Sequence, residues 1–376
     1  MSTQDDDYAI KAGDSGGQID APALDYKPRD PRNYHPKIAL IGCGGITAQH
    51  LKAYRAANYD VVALCDKQED RARARQAEFF PDAQVYSDSA RVLARSDIEV
   101  VDIATHPVDR VPVIEAALRA GKHVLSQKPF VLDLDSGVRL ADLADECGVR
   151  LAVNQNARWA PHFSYIREAI QAGLLGDLTG AHLSVHWDHS WIKGTPFEQI
   201  HAIVLYDFAI HWFDLVAHFF GDKPARRVYA CEARAVGQSI APPLLAQSLI
   251  EFDDAQASLA FDANVGFGAQ DRTYLSGTKG TITSIGPSLG DQTVTLYTAD
   301  GVAVPRLEGN WFPDGFHGSM AELLCAIAEN RAPINSARDN LKGLSLCFAA
   351  VQSALDHQVK VPGEVRLLPA GNAASS

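Results

Sequence analysis

The chain has 376 residues, 47% hydrophobic and 21% charged, with a formal net charge of −12. That length exceeds one average domain and suits two, each able to bury a core. The negative balance excludes a polyanion such as nucleic acid as the main partner, but not a dinucleotide whose phosphates rest on backbone N–H groups.

In chain order, residues 1–36 are rich in Asp, Gly and Pro without periodicity, and are expected as a flexible arm. From Lys37 the pattern changes. KIALIG is an apolar run ending in glycines, followed by ITAQHLKAYRAAN with helical spacing. VVALCD, EVVDIAT, HVLSQKP and VRLAVN are further strands. QEDRARARQAEF, Pro107–Ala120 and Leu134–Cys147 are the helices between them. This alternation predicts a doubly wound, parallel α/β Rossmann domain over 37–155.

After about residue 155 the grammar differs. Pro161–Ala172 reads as a helix stopped by Gly173, and VLYDFAIHWFDLVAHFFG as a single longer one. AHLSVHW, RRVYACEARAV, LAQSLIEF, ASLAFDANV, RTYLSG and TVTLYT are strands in series. Helices over Gly318–Asn330 and Ala337–Asp356 end the pattern. Residues 156–370 are therefore expected as an α+β domain with a large, mostly antiparallel sheet.

Gly42-Cys-Gly44-Gly45-Ile46-Thr47 lies between strand and helix. Gly42 permits the tight turn, and Gly44 lets the backbone approach a pyrophosphate at the helix N-terminus. Asp66 ends the second strand, where a carboxylate accepts ribose hydroxyls and repels a 2′-phosphate, so NAD is expected over NADP, with Lys67 only partly offsetting it. Thr105, His106 and Gln127, also at strand ends, complete the expected cofactor contacts. Lys128 follows Gln127 and can hydrogen-bond a substrate hydroxyl. Asp207 and His211, four apart, share a helix face, and neutral imidazole suits proton removal from a carbinol. An unperturbed His211 would give a rate rising through about pH 6–7.

These elements together resemble the Gfo/Idh/MocA family of NAD(P)-dependent oxidoreductases. The resemblance runs over about residues 37–365 and includes IGCGGITAQHLKAY, AALRAGKHVLSQKP, NQNARW and DFAIHWFDL. It implies a Rossmann domain, then a domain whose open sheet forms a homodimer or homotetramer. It also implies that Lys128 is the lysine of the family's Glu-Lys-Pro motif, Asp207 and His211 the catalytic pair, and Arg158 an arginine near substrate. Two departures stand out: Gln127 replaces the usual Glu, removing a charge beside Lys128, and Arg110 stands where His is common.

Trp187, His189, Asn156, Trp159 and His317 are further candidates for a carbohydrate site, where apolar ring faces meet aromatics and hydroxyls meet polar groups. His182, His186, His189 and His201 do not form a ligand set with closed geometry, so no metal is expected. The six cysteines form no CxxC pair and are expected reduced; with no membrane-length apolar run and no signal-peptide pattern, a cytoplasmic enzyme is expected. Three activities remain open: dehydrogenation of a sugar, inositol or glycoside; NAD-assisted glycoside cleavage through a transient 3-keto intermediate; and non-catalytic NAD sensing.

Overall fold

The computed structural model describes residues 16–370. The first domain alternates β1 (Lys37–Ile41), α1 (Thr47–Ala56), β2 (Asp60–Cys65), α2 (Glu69–Phe79), β3 (Gln84–Tyr86) and α3 (Ser89–Leu93). It continues with β4 (Ile98–Ile103), α4 (Pro107–Arg119), β5 (His123–Gln127), α5 (Leu134–Glu146) and β6 (Leu151–Asn154). The six strands are parallel in the order β3-β2-β1-β4-β5-β6. Strands such as β1 read as unbroken apolar runs because both sheet faces are covered.

Register places the site. Ile41 pairs with Cys65 on one side and Ile103 on the other, and Ile103 pairs with Ser126. The strands therefore end level. Gly42, Asp66, Thr105 and Lys128 emerge along one edge, at the crevice where strand order reverses.

The second domain begins with a short 3₁₀ turn (Asn156–Trp159), α6 (Pro161–Gln171) and β7 (Leu178–His186). After α7 (Ile210–Phe220) come β8 (Arg227–Ala233), β9 (Leu245–Glu251), β10 (Gln256–Asp262) and β11 (Gln270–Gly277). β12 (Gly280–Ser288), β13 (Asp291–Thr298) and β14 (Gly301–Ala303) complete an eight-stranded sheet ordered β14-β13-β12-β11-β7-β10-β9-β8. Among these eight strands only the β7–β10 pairing is parallel. Its strands alternate: Ala181, Leu183 and Val185 face the helices, whereas Tyr229, Leu249, Tyr274, Ile285 and Tyr297 remain exposed. α8 (Trp311–Ala328) and α9 (Ala337–Asp356) follow. α8 packs on α1 through Phe316, Met320, Leu323 and Leu324, so this late segment covers the first domain's sheet.

Two expectations are corrected. The stretch from Ile203 is not one α-helix: Ile203–Phe208 forms a π-helical turn before α7. Residues 16–36 are not a flexible arm, because Ile19, Ala21, Leu24 and Tyr26 pack against the core and Gly17 and Ile19 hydrogen-bond to Val302. The remainder of that expected arm, residues 1–15, lies outside the described residues.

Candidate active site

A cleft of about 1540 Å³ runs from the β1–α1 turn to the π-helical turn and the start of α8. It is lined by Gly42, Gly44, Gly45, Ile46, Asp66, Lys67, Thr105, His106, Gln127 and Lys128 on the first-domain side. Asn156, Trp187, His189, Asp207 and His211 line the other end.

At the turn, Gly42 has φ +93°, and an added Cβ would meet Ala104 and Thr105 backbone within 2.9 Å. A Cβ at Gly44 would meet nothing within 4 Å, leaving space beside the backbone. Among the described residues the amides of Gly44, Gly45 and Ile46 donate to no protein acceptor. Free amides at a helix start above open space fit a dinucleotide pyrophosphate. Thr47, the third position of the glycine pattern, is fully buried and donates its hydroxyl to the Gly44 carbonyl at 2.7 Å. Asp66 accepts from the Cys43 amide at 2.7 Å and the Gln68 amide at 2.8 Å. Those bonds hold its carboxylate at the cleft, where it fits an adenosine ribose.

Arg71 and Arg75 also line this end, and Arg75 reaches the carbonyls of Gly44 and Gly45 at 3.1 and 3.3 Å. Neither is among the candidates named from sequence. Their signal was a four-residue spacing on α2, which places them on one face.

Gln127 is a connector. Its Oε1 accepts from the Lys128 amide at 2.8 Å, and its Nε2 lies 3.3 Å from His50 Nε2. His50 Nδ1 is 2.7 Å from Asp102, which also accepts from the Tyr54 hydroxyl at 2.6 Å. Asp102 as acceptor places the imidazole proton on Nδ1, so Nε2 accepts from the Gln127 amide. A Glu at 127 would offer no such donor. Arg110, buried at the start of α4, donates to the carbonyls of Thr105, Gln127 and Pro129. It ties together the loops that carry Lys128.

Lys128 Nζ donates to the Asp207 carbonyl at 2.9 Å and lies 3.5 Å from its carboxylate. Asp207 thus supplies the negative charge that Gln127 lacks. His211 is buried beside Trp311, with ring centroids 5.4 Å apart. Burial, reinforced by the Lys128 charge, holds its imidazole well below the ordinary histidine range. His211 is neutral at pH 7, and the pH 6–7 limb expected from an unperturbed ring moves to lower pH. Burial also lowers His189 to about 4, partly offset by Asp188. Asn156 accepts from Trp311 Nε1 at 2.8 Å, fixing the tryptophan over the cleft.

Three candidates lie elsewhere. Arg158 is fully buried in a bidentate pair with Asp214, at 2.6 and 2.7 Å, and also meets Asp339 at 2.9 Å. Trp159 is buried against Gly318 with the Arg167 guanidinium over its ring. His317 pairs with Asp30 at 3.0 Å. Arg158 and Trp159 sit on the 3₁₀ turn, where sequence does not show which side chains point inward, and His317 lies within α8 and reaches back to residue 30. Among the described residues no group of three or more His, Cys, Asp or Glu could hold a metal, and no helix is long and apolar enough to cross a membrane.

Residues 36–155 match the oxidoreductase family with an NAD-binding Rossmann fold, and residues 163–283 match the GFO/IDH/MocA C-terminal domain. The chain is 28% identical over 347 residues to D-apiose dehydrogenase of Paraburkholderia graminis, covering 85% of this chain and 87% of that protein. It is 24% identical over 330 residues to inositol 2-dehydrogenase of Rhizobium meliloti, covering 85% and 97%. An Agrobacterium radiobacter oxidoreductase solved with NAD+, L-tartaric acid and magnesium shares the fold, with TM-score 0.77 and 21% identity over 88% of this chain and 99% of that one. The chain belongs to the Gfo/Idh/MocA family and is an NAD-dependent oxidoreductase.

Proposed function

We propose that this NAD-dependent oxidoreductase acts on a CH–OH group, oxidising a secondary alcohol of a sugar, inositol or glycoside. The observation that carries the reading is the meeting of Lys128, Asp207 and a neutral, buried His211 in the cleft that holds the dinucleotide cradle. NAD, when bound, supplies the hydride acceptor. Lys128 donates a hydrogen bond to the substrate oxygen and stabilises charge developing there as its proton leaves. His211 takes that proton, and Asp207 holds the Lys128 ammonium in place. The sugar and inositol dehydrogenases among the relatives support a polyol substrate. Trp187 and Trp311 give it flat apolar surfaces.

The test is a panel of sugars, inositols and glycosides with NAD, following NADH formation. His211→Ala should lower kcat by on the order of 10² and leave NAD affinity nearly unchanged. In the native enzyme the acid-side fall in rate should lie below the ordinary histidine range, because the base must be neutral. A His211→Ala enzyme with near-normal turnover, beside an inactive Lys128→Ala, would make Lys128 the base.

We also propose a cytoplasmic homo-oligomer formed through the open sheet face. Its exposed Tyr229, Leu249, Tyr274, Ile285 and Tyr297 make an apolar surface on one side of the sheet. Sedimentation should give a dimer or tetramer, and Leu249→Lys with Tyr274→Lys should reduce its mass. A monomeric native protein would refute the interface.

A further inference from the structure

Beside the active-site cleft lies a second cavity of about 500 Å³, between the end of β7, the start of β11, the β12–β13 turn and the start of α8. Trp187, Leu289, Trp311 and Phe312 line both spaces, so a molecule in one can extend into the other. Val185 and Asp271, paired across β7 and β11, lie side by side in its lining.

Asp271 is 2% exposed and its Oδ2 has no hydrogen-bond partner. Among the described residues no cation pairs with it. Burial alone pushes its carboxyl up to about 7. A buried carboxylate without a donor costs stability, and Asp271 is among the residues that line a space large enough for a ligand. The inward positions of β11 are Asp271, Thr273 and Leu275, and of these only Asp271 is ionisable.

The lining also selects the occupant. Trp187, Pro287, Leu289, Trp311 and Phe312 are apolar; of the polar lining side chains Gln270, Ser288 and Asn310 lie exposed, His186 is half-buried and Asp271 alone is fully buried. A second sugar ring would bury several hydroxyls against these walls with one buried acceptor among them, and each unpaired hydroxyl is costly. A flat ring with one hydroxyl matches both the walls and the carboxylate.

We propose that this cavity is an aglycone subsite: it takes the hydroxylated aromatic ring of an O-glycoside, whose hydroxyl donates to Asp271 while its sugar occupies the adjoining cleft. This rests on the carbohydrate reading of that cleft.

The experiment is calorimetric titration of the full-length protein with phenyl β-D-glucopyranoside and its 2-, 3- and 4-hydroxyphenyl counterparts. At least one hydroxyphenyl glucoside should bind about tenfold more tightly than phenyl glucoside, the gain of one hydrogen bond to a carboxylate. Asp271→Leu should erase that gain while phenyl glucoside affinity holds or improves. Asp271→Asn, nearly identical in shape, serves if the leucine variant does not fold, and should reduce the gain. Equal affinity for all four glucosides, or a gain that survives loss of the carboxylate, overturns the subsite. Titration needs no turnover. Hydroxyl-dependent binding without NADH formation from any glycoside would refute the dehydrogenase reading and keep the subsite. Oxidation of free sugars with no hydroxyl preference would do the reverse.

Discussion

Arg158 shows how a residue that belongs to a recognisable motif can act through packing. It lies in the NQNARW segment, where the family resemblance suggested substrate contact, yet its guanidinium is fully buried. Asp214, Asp339 and the Ile334 carbonyl take its donors. These partners come from α7, α9 and the segment before α9, so one side chain joins three stretches of the chain. Burial raises the Asp214 carboxyl above the usual carboxylate range, although the Arg158 charge opposes that shift. Breaking such a pair leaves an uncompensated buried charge and costs about 3–5 kcal/mol. Arg158→Met should therefore lower the unfolding free energy by that amount in denaturant titration. Michaelis constants of the remaining folded enzyme should stay near native. A raised KM with unchanged stability would return Arg158 to the substrate site.

At the scale of elements, the cofactor end was legible because local chemistry dictates it. A glycine with positive φ between an apolar run and a helix, then a carboxylate at the next strand end, leaves little freedom. β1, α1, β2, α4, α5 and α9 lie where hydrophobic period and helix stops place them. β3 and α3 were not, since three and five residues hold too little periodicity. The π-helical turn was hidden for another reason. Apart from Asp207 and His211, VLYDFAIHWF is apolar on every side, so its pattern does not distinguish i→i+4 from i→i+5 hydrogen bonding. That turn carries Asp207 and sends its carbonyl to Lys128. The substrate end was half legible: Lys128, Asp207 and His211 have chemical signatures, while the inward direction of Trp187 against Trp159 depends on long-range packing. Asp271 left no sequence signal, because one acid in an alternating strand reads as a solvated face.

At the scale of the whole molecule, residues 16–36 act as a strap. Gly17 and Ile19 pair with β14. The Tyr165 and Ser164 hydroxyls of α6 donate to Pro22 and Tyr26 carbonyls at 3.1 and 2.6 Å. Arg29 meets Glu329 just after α8, and Asp30 meets both His317 and the Tyr59 hydroxyl. One segment therefore touches the α1–β2 turn, α6, α8 and the far edge of the large sheet. The ion pairs are exposed and screened by solvent, so they contribute little. The stronger contribution is apolar: Ile19, Leu24 and Tyr26 pack on the core, and full burial of each side chain would be worth about 1.5–3 kcal/mol. Their burial is partial, so a loss of a few kcal/mol and about 5–10 °C in Tm is expected on starting the chain at Lys37. NAD affinity should survive in the folded fraction, because the Gly42 turn, Asp66 and Lys128 make no hydrogen bond with the strap. Scanning calorimetry and NAD titration of the truncated protein measure both. An unchanged Tm would mean that the strap lies on the surface without holding it, and lost NAD binding in a folded protein would tie the strap to the site.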